Sequence, residues 1–136
     1  MRTRRGFLQG TLANFAAIAM APSSMVATIQ SRTLYRRDLP PVNLAGWQVT
    51  VMDLTFPPGV ASPKHVHPGF VLGYVLEGEY RLGLEGEAEK VLPAGQVFCE
   101  APGQIHLPSG SAQPTNPARV LVLAFTEKGK ELISPS

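Results

Sequence analysis

The chain has three histidines, His65, His67 and His106. His65 and His67 are separated by one residue. On a strand, residues i and i+2 point to the same face about 6.5 Å apart. Two imidazoles so placed can converge on one ion, with metal–nitrogen bonds of about 2.0–2.2 Å. His106 lies at the far side of a turn-rich block, and in a small barrel it can reach the same interior. Imidazole suits first-row transition metals, so the expected cofactor is one divalent ion among Fe, Mn, Zn, Ni and Cu. Taken alone, the pair is equally compatible with ordinary surface histidines.

The elements around these residues must be short strands. The chain has 136 residues, with 13 Gly and 13 Pro. Its length suits one domain, and so turn-rich a composition argues against a helix bundle. From Gly78 the glycines fall at 78, 86, 95, 103 and 110, leaving room for one short strand in each gap. No gap holds a crossover helix, which excludes a parallel α/β sheet. The rhythm indicates an all-β sandwich or barrel. Expected strands are 47–56, 70–77, 80–84, 89–92, 96–100, 104–107 and 119–125. The run from Phe70 to Leu76 is almost continuously apolar, as in a strand covered on both faces. Residues 28–46 read as an arm and 128–136 as a polar tail. Ser109-Gly110-Ser111 reads as a turn.

The N-terminus reads differently. Arg2, Arg4 and Arg5 precede an apolar stretch from Gly10 to Met20, and no acid occurs before Asp38. The stretch is too short to span a bilayer, which needs about 20 apolar residues. Small residues follow it. Arg4-Arg5-Gly6-Phe7-Leu8 resembles the twin-arginine export signal. Residues 1–27 are therefore expected to be a signal peptide and 28–136 the folded domain. Such a leader implies the twin-arginine export machinery as a partner and a periplasmic location, with no stable membrane insertion of the mature form. Without the leader, nine Lys and Arg face ten acids, so the folded part is near neutral. That balance carries no nucleic-acid footprint. Cys99 is the only cysteine, so no intramolecular disulfide forms, and it reads as a small buried hydrophobe.

The turns around the histidines give a sharper reading. Gly59, five residues, His65-x-His67 and Gly78 resemble the first cupin motif. Pro93-x-Gly95 followed by Pro102-Gly103-x-x-His106 resembles the second. From about Thr33 to Ile133 the chain is similar to small single-domain bacterial cupins. The resemblance implies a double-stranded β-helix, the cupin jelly-roll barrel. It implies a metal held by His65, His67 and His106, and a homodimer, which is common among cupins. The first motif usually carries Glu as a fourth ligand four residues after its second histidine. Here that position is Val71. His65, His67, Val71, Gly73 and Val75 share one parity and are expected to face inward together. The site is then a neutral three-histidine face with open positions for water or a small-molecule ligand or substrate. Glu77 and Glu100 read most simply as solvated or ion-paired. Glu100 is the better of the two as a replacement ligand. Asp53 is a candidate to orient a ligand histidine from behind.

Three functions remain open. The first is a cupin-type, metal-dependent, dioxygenase-like oxidoreductase acting on a small molecule, with its acid or base catalyst unassigned. The second is a non-catalytic periplasmic protein that binds a metal or small ligand. The third is a structural barrel. Fold does not choose among them.

Overall fold

The structure is a computed structural model, and residues 31–39 and 41–136 are described here. The segment 1–27, with its export motif, lies outside the described residues. Residues Arg32–Ser136 form one compact unit. Among the described residues no helix is long and apolar enough to cross a membrane.

Eight strands follow one another: β1 Trp47–Phe56, β2 His65–Val66, β3 Phe70–Glu77, β4 Glu79–Leu84, β5 Lys90–Pro93, β6 Val97–Glu100, β7 Ile105–Ser111 and β8 Ala118–Glu127. They form two four-stranded sheets, ordered β1-β8-β3-β6 and β2-β7-β4-β5. All described pairings are antiparallel. This is the all-β architecture expected from the turn rhythm, in the jelly-roll, double-stranded β-helix form that the cupin resemblance implies.

Between the sheets lies an apolar core that includes Val71, Val75, Tyr80, Leu82, Phe98 and Val120. Alternation builds it. In β8, Val120, Val122 and Ala124 are buried, while Leu121, Leu123 and Phe125 are only half-buried. In β3 the inward residues Val71, Gly73 and Val75 are buried, whereas Leu72, Tyr74 and Leu76 are half-buried. The continuous apolar run of β3 therefore reflects one buried face and one partly covered face, not a strand enclosed on both sides.

Two glycines allow the sheets to close. Gly78 carries the chain from β3 in one sheet to β4 in the other with φ +72°. A Cβ there would also meet the Pro117 carbonyl oxygen at 2.3 Å. Only glycine takes both constraints without strain. Gly73 faces inward beneath Phe98, and a Cβ would lie 2.1 Å from that ring.

Two segments also differ from expectation. Ser109-Gly110-Ser111 is not a turn but the buried end of β7. Its register against β4 slips between Leu107 and Gly110, a bulge at Pro108-Ser109. Nor is 128–136 a detached tail. Leu132 packs against the core, and Ser134 bridges Val66 through two backbone hydrogen bonds of 2.9 Å.

Candidate metal centre

His65, His67 and His106 come together, all buried. Their positions follow from the strands. His65 on β2 is the direct cross-strand partner of His106 on β7. Side chains so paired have Cβ atoms about 4.5–5.5 Å apart. His67 lies just beyond β2, in the link that leads to β3 in the other sheet. The shared inward parity of His65, His67, Val71, Gly73 and Val75 holds, since all five are buried.

Hydrogen bonds fix which nitrogens face the centre. His65 Nδ1 donates to the Pro63 carbonyl at 2.7 Å. His67 Nδ1 donates to the Leu132 carbonyl at 2.9 Å. A carbonyl only accepts, so in both neutral rings Nε2 carries the lone pair. His106 is held by Ser109. The Ser109 hydroxyl donates to the Leu107 carbonyl at 2.9 Å, so towards His106 Nε2, also at 2.9 Å, it accepts. Its lone pairs also receive the Gly83 amide. That leaves the lone pair of His106 on Nδ1.

These three lone-pair nitrogens face one another. His65 Nε2 lies 3.1 Å from His67 Nε2 and 3.1 Å from His106 Nδ1. No proton of a neutral ring sits between them. Protonation is also disfavoured: burial, then the Leu132 hydrogen bond working against it and His65 reinforcing it, leaves His67 below its ordinary value. Burial, followed by the neighbouring His65 and His67, pushes His106 down to about 3. Three lone pairs at contact distance and no proton to share call for a cation. Two nitrogens each about 2.1 Å from one ion and at right angles stand about 3.0 Å apart. The observed spacing matches, so the residues present fit a divalent transition metal.

Glu100 stands against the same centre. It is 2% exposed. Its Oε2 lies 3.5 Å from His67 Nε2 and 3.5 Å from His106 Nδ1 and has no hydrogen-bond partner. Burial raises its carboxyl to about 7. It is therefore neither solvated nor paired with a cation, contrary to its simplest reading in the sequence. Glu77 does fit that reading: it is exposed and bonded to Arg119 at 2.9 Å. Asp53 does not reach a histidine. Its carboxylate is exposed and binds Arg119 at 2.9 and 2.6 Å. The groups behind the histidines are instead two backbone carbonyls and Ser109. Cys99 is half-buried rather than buried, and burial raises its thiol.

Pro63, Leu132 and Ser109 are the supporting residues that strand parity does not find. A backbone carbonyl has no sequence signature. Ser109 has the wrong parity relative to His106, and only the bulge turns it inward, as bulges commonly re-aim a side chain.

The centre opens on a cavity of about 440 Å³. Its wall is largely apolar, with Met52, Leu54, Phe56, Phe98, Val120 and Val122, and among the described residues it contains no lysine or arginine. Tyr80 also lines it. Burial, then the nearby Glu100, raises its phenol far above the ordinary range, so the hydroxyl remains protonated.

The Cupin domain family matches residues 52–124, more than half of the chain. The chain belongs to the cupin family. No curated protein matches this cupin significantly, but solved structures do. An oxalate oxidase in complex with the substrate analogue glycolate aligns at 27% identity and TM-score 0.55, covering 68% of the cupin and 47% of that chain. The DMSP lyase DddQ from Ruegeria pomeroyi aligns at 22% identity and TM-score 0.56, covering 65% and 43%. The polyketide cyclase RemF from Streptomyces resistomycificus aligns at 23% identity and TM-score 0.54, covering 64% and 59%. The cupin thus spans under half the length of the first two, and the likenesses below 25% identity speak to the fold.

Proposed function

We propose that this protein is an exported cupin whose His65, His67 and His106 hold one divalent transition metal beside a small-molecule pocket, and that it is a metal-dependent oxidoreductase. The observation that carries the reading is the set of three facing lone pairs at 3.1 Å at the end of an apolar cavity. The oxalate oxidase likeness, at 27% identity, supports oxidative chemistry on a small oxygen-bearing molecule.

When bound, the metal supplies a Lewis-acidic, redox-capable centre with positions open to ligand or dioxygen. The chain's own residues do the rest. The Pro63 and Leu132 carbonyls and the Ser109 hydroxyl hold the imidazoles in the tautomers that face inward. Phe56, Phe98, Val120 and Val122 exclude water and receive the apolar body of the ligand. Tyr80, kept protonated, is the hydrogen-bond donor available to an oxygen of that ligand. A non-catalytic metal- or ligand-binding role is the second reading, favoured by a cavity wall that is largely apolar and, among the described residues, holds no lysine.

The deciding experiment isolates the protein from its native periplasm without added metal and measures metals per chain. One equivalent of iron or manganese, with dioxygen uptake on small hydroxy- or keto-acids, supports the oxidoreductase. Zinc, or a loaded protein that consumes no dioxygen, favours the binding role. Export rests on Arg4-Arg5-Gly6-Phe7-Leu8. Lysine lacks the planar guanidinium, so replacing both arginines with lysine is expected to retain the full-length chain in the cytoplasm. Normal delivery of that variant would end the twin-arginine reading. The homodimer belongs to the same proposal, with the half-covered outer face of β8 and β3 as its contact, and a monomer by light scattering would remove it.

A further inference from the structure

We infer that Glu100 is a fourth protein ligand of this centre, so that the carboxylate absent at Val71 is supplied from the neighbouring strand. The inference rests on the metal reading above and adds to it a ligand from β6.

The register makes the substitution possible. Val71 on β3 is the direct cross-strand partner of Glu100 on β6. Both side chains face inward and are buried, at 1% and 2% exposure. Direct partners carry their Cβ atoms about 4.5–5.5 Å apart, within the reach of a glutamate. A carboxylate at either member of this pair can thus serve one point in the barrel. The centre is then two cross-strand pairs, His65 with His106 in one sheet and Val71 with Glu100 in the other, joined by His67.

The position of the carboxylate fits a ligand. Oε2 is equidistant, at 3.5 Å, from two of the three converging nitrogens. Two donor atoms about 2.1 Å from one ion are about 3.0 Å apart at a right angle and about 3.4 Å apart at the tetrahedral angle. No other use of the oxygen is visible. Among the described residues it accepts no hydrogen bond, and none of the described lysines or arginines lines the cavity. A carboxylate removed from water needs a cation or hydrogen-bond donors, and its two nearest nitrogens present lone pairs. A cation between them satisfies both sides. A buried charge also has a consequence for the ligand set. Three imidazoles and one carboxylate leave a divalent centre at net +1 and favour harder ions such as Mn(II) or Fe(II) more than imidazole alone would.

The test is Mn(II) and Co(II) binding to metal-stripped protein, read by calorimetric titration and by the Co(II) visible spectrum. Glu100→Gln is expected to weaken Mn(II) at least tenfold and to change the Co(II) band positions and intensities. Val71→Glu in the Glu100→Gln background is expected to restore most of the Mn(II) affinity. Glu100→Ala leaves a carboxylate-sized space, and added formate or acetate is expected to recover affinity there. This last arm also serves if Glu100→Gln folds poorly. Wild-type affinity and an unchanged Co(II) spectrum in Glu100→Gln would overturn the inference, as would affinity in Glu100→Ala that no small carboxylate alters. The two readings fail separately. If the His65/His67/His106 triple alanine variant binds Mn(II) as wild type does, the metal reading itself falls. If that variant loses the ion while Glu100→Gln keeps it, only the role of Glu100 falls.

Discussion

The sheet β1-β8-β3-β6 carries carboxylates on both faces, and the two faces treat them in opposite ways. On the outer face, Asp53 of β1 and Glu77 of β3 flank Arg119 of β8 and bind it at 2.6–2.9 Å. All three are exposed, and Arg119 together with its hydrogen bonds holds Asp53 below the usual carboxylate range. On the inner face, Glu100 Oε2 has no hydrogen-bond donor among the described residues, and burial raises the carboxyl. Three inward lone pairs of histidine sit beside it without a proton. The outer cluster pairs its charges within itself, whereas the inner one brings electron-pair donors together. A cluster whose polar groups satisfy one another has little left to offer a ligand. One whose groups share the same need is built around something else.

The strongest way to break this comparison is to remove an inner donor. His67→Ala takes away one ligand and frees the Leu132 carbonyl. We expect loss of most bound metal after dialysis, measured as ions per chain. The metal-induced rise in stability disappears with it, and that rise is about 4 kcal/mol when free metal is a thousandfold above Kd. Unchanged melting with saturating Mn(II) in wild type and variant would mean that the inner cluster does not hold an ion.

A second effect is smaller and concerns the metal-free protein. Glu100 is pushed up to about 7 from an ordinary value of 4.5. An acid raised on folding leaves stability intact below about pH 4.5 and loses it as pH rises through 7. Replacing it removes that loss. Metal-stripped Glu100→Gln should therefore exceed metal-stripped wild type by about 3 kcal/mol at pH 8, at about 1.4 kcal/mol per unit. The difference should shrink below about 1 kcal/mol at pH 5. His106 runs the other way, since burial has pushed it down to about 3. Its stability is full above its ordinary value of 6.5 and is lost as pH falls towards 3. Urea melts across this range in the presence of a chelator measure both. A gap that does not grow with pH would mean that the Glu100 carboxylate has a partner.

The contrast between the faces was only partly legible in the sequence. Apolar runs between turns locate β1 and β3 with their bounds, and alternation predicts the inward parity of His65, His67 and Val71. Such parity works because a strand repeats every two residues. It fails where that repeat breaks. The bulge at Pro108-Ser109 brings Ser109 under His106, although their spacing places them on opposite faces. It fails too where a backbone atom acts, as Leu132 does from a segment that reads as a polar tail. Asp53 and Glu100 show a third limit. Each lies near the histidines in sequence, and only the register tells that Asp53 meets Arg119 across the outer face while Glu100 stands opposite Val71 inside. Pairing between distant strands has no signature within either one.

The smallest effect is expected on the outer face. Arg119 is exposed and its partners are exposed, so water and salt screen the pairs and such bridges contribute little. Arg119→Ala should alter the thermal midpoint slightly in dilute buffer and not measurably at about 0.5 M salt, where the Debye length falls below about 5 Å. Its metal affinity should equal that of wild type, because the guanidinium and the inner cluster are on opposite faces of β8 and share no hydrogen bond. The same titration that tests Glu100 measures this variant. A tenfold loss of Mn(II) affinity in Arg119→Ala would show that the outer charges act through the sheet on the inner ones. Equal affinity with a salt-dependent midpoint would mean that the two faces are electrostatically separate, so that ion binding is governed by the inner face alone.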